Sequence, residues 1–334
     1  LISFFVMDLR QLEALVAVAD HGSFSAAADA LATVQSNIST HVKKLERELG
    51  TPLVERGSGR LTEAGRLVVG RARRIQAELD ALALDVVALS HDVAGSVHVG
   101  MIGTTARWLV PQLLELVPRR FPRLRLVVVE ATTAGLDTQL TTGEVDLAVL
   151  NLPAASPELS VMPLFEEDLV LVVDRDHPLA GRERLELRDL EPVPLLLPAP
   201  GTAFRAELDA VLAPAGVELV ARAEVDSTRL IASLTFEGCG PAILPATAVP
   251  TYLRERWRLV PVAGLPPRLV GVAQRRQALP SAPARALLDL LAEVVFDPAR
   301  RPSGLRPVPP DEPGEPEAAA SFSPRAGRRP VRAT

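Results

Sequence analysis

The 334 residues include one cysteine, one tyrosine and two tryptophans, and aromatic side chains amount to only 4%. A lone thiol, Cys239, can neither close an internal disulfide nor build a cysteine-cluster metal site. No apolar run approaches the roughly 18 residues that a membrane span requires, so no membrane partner is expected and the default location is the cytoplasm. The apolar opening Leu1–Val6 has neither the basic flank nor the small-residue cleavage site of a signal peptide. A helical pattern starts only at Met7, so residues 1–6 read as an alternative-start or non-native leader. Lysine is scarce as well: Lys43 and Lys44 are the only two.

The net charge of −5 excludes a protein that coats nucleic acid by overall charge, so the distribution matters more than the sum. Behind the two lysines come Arg47, Arg56, Arg60, Arg66, Arg71, Arg73 and Arg74, while the acidic excess lies elsewhere. A small N-terminal unit that reads a nucleic-acid sequence would have this distribution, and so would an ordinary solvated helix face. With 48% hydrophobic and 23% charged residues, the length supports two or three cored units.

Asp8 is placed to cap a helix carrying Leu9, Leu12, Leu15, Val16 and Ala19 at helical spacing, with Gln11 completing a capping box and His21-Gly22-Ser23 ending it. A second short helix is expected over Ser25–Leu31, where Ala26, Ala27 and Ala28 permit a close crossing. A third runs from about Val34 to Leu49; Ile38, Val42, Leu45 and Leu49 form one apolar stripe, and Gly50 stops it. At about 100° per residue, Ser36, Thr40, Lys43 and Arg47 point away from that stripe. Asn37, Ser39 and Lys44 flank them, and Gln35 sits in the first turn. Amide side chains suit adenine edges, hydroxyls suit phosphates or mixed contacts, and Lys and Arg neutralise phosphates. Downstream, Pro52–Thr62 has two apolar ends around Gly57-Ser58-Gly59, the pattern of a small β-wing carrying Arg56 and Arg60 towards a DNA backbone. Thr62 with Glu63 then caps a long helix.

Five segments in this order and spacing carry a resemblance: Met7-Asp8-Leu9-Arg10-Gln11-Leu12, Gly22-Ser23-Phe24-Ser25-Ala26-Ala27-Ala28, Leu31 with Gln35-Ser36-Asn37-Ile38-Ser39, Leu45-Glu46-Arg47-Glu48-Leu49-Gly50, and Leu61-Thr62-Glu63-Ala64-Gly65. Together they resemble a LysR-type transcriptional regulator. The resemblance implies a winged helix-turn-helix over residues 7–65. It also implies base and phosphate contacts at Gln35, Ser36, Ser39, Thr40 and Lys43, with wing contacts near Arg56. Thr40 stands where the family often has arginine, and the wing is about two residues shorter than usual.

Residues 66–91 read as a linker helix. From Thr62 to about His91 there is no proline, and Val68, Ala72, Ile75, Leu79, Leu82, Val86 and Leu89 alternate spacings of four and three, a heptad seam. A helix of about 28 residues would be about 42 Å long. Such a stripe lies either on its own domain or against a second copy of the chain. The resemblance favours the second, a homodimer or homotetramer.

Asp92-Val93-Ala94-Gly95 reads as a hinge, and alternating strands and helices follow. Strands are expected at Ser96–Ile102, Leu124–Ala131, Asp146–Leu152, Leu169–Val173, Leu195–Leu197, Leu219–Val225 and Leu269–Gln274. Helices are expected near Thr105–Arg120, Phe204–Leu212 and Ala284–Phe296. This is α/β patterning with a largely parallel sheet. It resembles the two-lobed effector domain of the same family, itself similar to periplasmic binding proteins: lobe I about 92–166 with 269–296, lobe II about 167–268. Ligands of open α/β folds sit beyond the carboxyl ends of strands. Thr104 and Thr105, Thr132 and Thr133, Asn151, Gly201 and Thr202, and Ser227 and Thr228 occupy such positions. Each taken alone could be a plain helix cap; as a set they suggest a cleft for a small, anionic metabolite.

Asp174-Arg175-Asp176-His177 has no second cluster to make a metal site, Glu166-Glu167-Asp168 reads as a solvated loop between lobes, and Cys239 sits in a Gly-Cys-Gly turn without a basic neighbour. No cofactor is implied. Residues 297–334, rich in Pro, Gly, Arg and Ala, read as a disordered tail. The expectation is a regulator that binds promoter DNA as an oligomer, answers to a metabolite and contacts RNA polymerase. A ligand-independent architectural DNA binder remains open, as does a solute-binding or enzymatic domain with a helix-turn-helix attached.

Overall fold

The computed structural model describes residues 7–55, 59–88, 93–253 and 255–309. The N-terminal unit comprises α1 (Leu9–His21), α2 (Phe24–Ala30), α3 (Gln35–Leu49) and the start of α4 (Glu63–Ala88). Local chemistry fixes each end. Asp8 and Gln11 exchange backbone-to-side-chain bonds at 3.0 and 3.3 Å, a capping box. Ser23 Oγ accepts the Ala26 amide at 3.1 Å, and Thr62 Oγ1 accepts that of Gly65 at 2.9 Å. Leu12, Leu15, Ala27, Ile38, Val42, Leu45, Leu53, Val69 and Ala72 share one core. Val54 and Leu61 pair antiparallel at the base of the wing. The wing tip with Arg56 lies outside the described residues.

After α4 the chain forms β1 (Ala94–Met101), α5 (Gly103–Arg120), β2 (Arg123–Glu130), α6 (Thr133–Thr142), β3 (Leu147–Asn151) and β4 (Leu159–Glu167). It crosses into a second lobe with β5 (Leu169–Asp174), β6 (Leu195–Pro198), α7 (Ala203–Ala215), β7 (Ala221–Val225), α8 (Thr228–Phe236), β8 (Ala242–Pro245) and β9 (Trp257–Pro261). It returns through β10 (Arg268–Arg275), α9 (Ala282–Phe296) and β11 (Leu305–Pro307). Lobe I is a six-stranded sheet in the order β11-β4-β10-β3-β1-β2; lobe II has β8-β5-β9 and the pair β6-β7.

Four expectations are corrected. The lobe I sheet is mixed: β1–β2 and β1–β3 pair parallel, but the returning β10 runs against β3 and β4; in lobe II β6–β7 is parallel while β5 runs against β8 and β9. Ala94 and Gly95 open β1 instead of a free hinge; a Cβ on Gly95 would meet Leu84 Cδ2 of α4 at 2.4 Å. Glu166 and Glu167 end β4 and are not in a loop. Residues 297–309 are not a free tail. Leu305 is buried in the lobe I core, β11 extends the sheet along β4, and Trp108 Nε1 donates to the Arg300 carbonyl at 2.9 Å.

Because Leu305 fastens that segment by apolar burial, Leu305→Ala is expected to lower stability by about 2–5 kcal/mol. Urea unfolding of the full chain measures this. A loss below about 0.5 kcal/mol, typical of exposed positions, would mean the segment is not part of the folded body.

Candidate nucleic-acid interface and interlobe cleft

Burial of Ile38, Val42 and Leu45 decides what α3 shows outside. Gln35, Ser36, Asn37, Thr40, Lys43 and Arg47 are exposed, and Ser39 and Lys44 are half-buried. The candidate contacts therefore share one surface, but not all are equally available. Thr40 Oγ1 donates to the Ser36 carbonyl at 2.7 Å, so its lone pairs are what it offers outward. Asn37 Nδ2 donates to Thr33 Oγ1 at 3.0 Å. Lys44 Nζ lies 3.7 Å from Asp8, turned towards the start of α1. Gln35, Ser36, Lys43 and Arg47 remain as the forward face. Glu46, which the sequence did not single out, accepts the Leu53 and Val54 amides at 2.8 and 3.2 Å and ties α3 to the wing base. Gly65 is required beside it: a Cβ there would sit 2.0 Å from the Leu53 carbonyl oxygen. Arg60 is exposed on the returning wing segment.

The seam on α4 divides in two. Ala72 is fully buried and so closed to a second chain, and Val68 is half-buried against the N-terminal core. Ile75, Leu79, Leu82 and Val86 are exposed, Leu82 by 63%. Leu89 lies outside the described residues.

Parallel pairing brings the carboxyl ends of β1, β2 and β3 to one edge: Met101 registers with both Glu130 and Val149. Thr104 and Thr105, Thr132 and Thr133, and Asn151 gather there. Thr105 is 0% exposed and its hydroxyl has no partner; the Asn151 Oδ1 is likewise buried and unpartnered. Thr132 caps α6 by accepting the Gly135 amide at 3.2 Å. Across the gap, Pro198 and Val225 end the parallel pair β6–β7, placing Gly201 and Thr202 beside Ser227 and Thr228. Thr202 and Ser227 cap α7 and α8. The two edges meet at Gly103, where a Cβ would lie 2.7 Å from Glu130 Oε1 and 3.5 Å from Arg229 Cβ. Glu130 and Arg229 form an ion pair between lobes, and the Arg107 guanidinium lies 5.2 Å over the Phe236 ring.

Arginines unforeseen in the sequence also border the cleft. Arg268 opens β10 at the second crossover; its side chain is 10% exposed, stacks 4.3 Å over Phe204 and pairs with Glu207 at 2.9 Å. At the first crossover Glu167 is wholly buried, and its Oε2 accepts from the Thr247 hydroxyl at 2.6 Å.

A helix-turn-helix with a wing, joined by a long helix to a two-lobed sheet domain with a cleft, defines a DNA-binding transcription regulator governed from a separate domain. The family pattern described as "Bacterial regulatory helix-turn-helix protein, lysR family" matches residues 9–66, and that of the "LysR substrate binding domain" matches 90–295. The chain belongs to the LysR family of transcription regulators, a class of regulators and not of enzymes. It is 35% identical over 295 residues to a probable hydrogen peroxide-inducible genes activator of Streptomyces viridosporus, covering 86% of this chain and 95% of that one. Identity to the DNA-binding transcriptional dual regulator OxyR of Escherichia coli is 33% over 294 residues, with the same two shares. Among solved structures, full-length OxyR from Pseudomonas aeruginosa carrying a cysteine-to-aspartate change superposes with a TM-score of 0.70 at 27% identity, over 92% of this chain and 99% of that one. CbnR in complex with its target DNA gives 0.61 at 25%, over 86% and 98%.

The crossover carboxyl gives the effector domain a pH signature. Burial pushes the Glu167 carboxyl above its ordinary value of 4.5, against the opposite pull of Arg268 and the Thr247 hydroxyl. The folded state therefore binds a proton more tightly than the unfolded chain. Its contribution is complete below about pH 4.5 and is lost as pH rises through the raised value. Glu167→Gln keeps an acceptor for Thr247 and removes the charge. The stability difference between this variant and the parent should grow in the variant's favour as pH rises above 4.5, read by denaturant unfolding. A pH-independent difference would contradict the assignment.

Proposed function

We propose that this chain reads a dyad-symmetric promoter site with two copies of the Gln35–Arg47 face, held together through Ile75, Leu79, Leu82 and Val86 of α4, and that a small molecule in the interlobe cleft sets the DNA geometry they impose. The observation that carries the first half is the exposure of those four large apolar side chains on one helix whose upper turns are packed at home. For the second half, the support is the convergence of strand ends with two buried, unpartnered polar atoms, Thr105 Oγ1 and Asn151 Oδ1. Buried polar groups of this kind call for a partner, and a ligand or its waters would supply one. RNA polymerase is the recipient of the altered geometry.

The relative from Streptomyces viridosporus is a probable hydrogen peroxide-inducible genes activator. With Cys239 the only thiol, these 334 residues cannot answer an oxidant by closing an internal disulfide. A bound effector is accordingly the signal we assign. Its charge is constrained by Glu130, which already places a carboxylate beside the first turn of α5, where an anion would otherwise be drawn. A neutral or zwitterionic metabolite fits that arrangement better than the simple anion expected from the threonine-rich loops.

Replacing Gln35 and Ser36 together by alanine should weaken binding to the intergenic DNA adjoining its gene by about 10- to 100-fold, the worth of one or two good base contacts. Non-specific binding and the sedimentation behaviour of the free protein should stay unchanged. Undiminished specific affinity, measured by fluorescence anisotropy, would overturn the assignment of the reading face.

A further inference from the structure

The DNA-binding unit and lobe I face each other across an open cavity of about 810 Å³, bordered by Asp20 of α1, Arg73 and Gln76 of α4, and His98 and Glu144 of lobe I. Beside the close approach of Leu84 to Gly95, the contacts around this gap include a group of arginine pairs. Arg73, 24% exposed, pairs with Asp20 in the last turn of α1 and, through its other Nη, with Glu144 at 2.7 Å. Arg74 donates through Nε to the Thr141 carbonyl and pairs with Glu158 at 2.7 Å. Arg275 donates to the Leu140 carbonyl at 3.3 Å. Three guanidinium groups thus gather where α6 ends, at the negative pole of its dipole: those of Arg74 and Arg275 on carbonyls of its last turn, and that of Arg73 on the Glu144 carboxylate just beyond it. Contact with the linker is close: Gly143, at φ +81°, has the backbone of Arg73 and Arg74 3.6 Å from where a Cβ would stand.

The opposite end of α6 is the one capped by Thr132, at the interlobe cleft. Between its ends the helix is about 15 Å long and is seated by Leu136 and Leu140, both fully buried. A short helix fixed in this way moves as a body. We propose that α6 carries the state of the cleft to the DNA-binding unit, and that Arg73 is the positioning residue that transmits it by holding Glu144 and Asp20 at once. The proposal rests on reading the cleft as the effector site, but it concerns the path out of that site.

Hydrogen–deuterium exchange on the full-length chain, without any effector, tests it. The reporter is the Gly22 amide, which donates to the Val18 carbonyl at 3.0 Å at the end of α1. Thr132→Ala removes the cap at the cleft end and should speed exchange of both Gly135 and Gly22, the latter by up to about fivefold, the range that part-exposed ion pairs convert to. In an Arg73→Gln background, Gly22 should exchange faster from the outset and no longer respond to Thr132→Ala. Arg73→Lys, which keeps the charge but cannot fork between two carboxylates, should behave as Arg73→Gln does. Glu144→Gln, a change at an exposed position, offers the same loss from the lobe I side. Faster exchange at Gly135 with Gly22 unmoved would overturn the proposal, as would an equal Gly22 response with and without Arg73. Because no ligand is used, either outcome leaves the effector reading standing or falling on separate evidence.

Discussion

Val69 and Ala72 of α4 are buried in the helix-turn-helix core, where α4 packs on α1, whereas Ile75, Leu79, Leu82 and Val86, further along the same helix, are bare. That division governs the rest of the molecule. The buried turns fix the angle at which α4 leaves the helix-turn-helix, and hence how the reading face is aimed relative to any second copy. The bare turns supply the apolar surface, and burying a side chain such as Leu82 is worth about 1.5–3 kcal/mol. On another face of the same turns, Leu84 and Asp85 touch lobe I, through the close approach of Gly95 and through the Ala282 amide at 2.9 Å. The helix therefore touches both the helix-turn-helix and lobe I, and leaves an apolar face bare between them.

The reading face and the cleft are built on opposite principles. On α3 the polar residues are exposed and few are tied down, which suits a surface completed by phosphates and base edges. In the cleft, polar atoms are buried first and wait for partners, while ion pairs such as Glu130–Arg229 join the lobes from outside. Exposed pairs of this kind contribute little to stability, so they can yield when a ligand rearranges the edge. In the proposed path between the two sites, the guanidinium groups at the end of α6 make polar contacts while Leu136 and Leu140 seat the helix.

Much of this was legible in the residues themselves. The stripe Ile38-Val42-Leu45 and the caps at Asp8 and Thr62 act within one or two helical turns, so spacing alone reveals them, whereas the cap at Ser23, two residues before the expected start of its helix, was missed. The start of the α4 seam was misread because heptad spacing does not show how far the helix-turn-helix covers the helix: Val68 and Ala72 still pack on that core, and Ile75, one turn on, is exposed. Strand β4 escaped notice because Pro163 interrupts it; the strand tolerates that proline at an irregularity, where its pairing with β10 slips between Val270 and Gly271. β11 was hidden by its Pro- and Arg-rich surroundings, and only its distant partner β4 makes it a strand. No local pattern distinguishes Glu167 from Glu166: one is buried beneath Thr247 and the other pairs with Arg306.

The central claim is that DNA is read by two identical α3 faces fixed by the exposed half of α4. In vitro selection from a random DNA pool with the full-length chain tests this most directly, since it presumes no target gene. The account predicts an enriched motif with dyad symmetry, its half-site centres about one helical turn or a multiple of it apart, near 10–10.5 base pairs per turn. Enrichment of a single asymmetric element, or of no sequence at all, would contradict it.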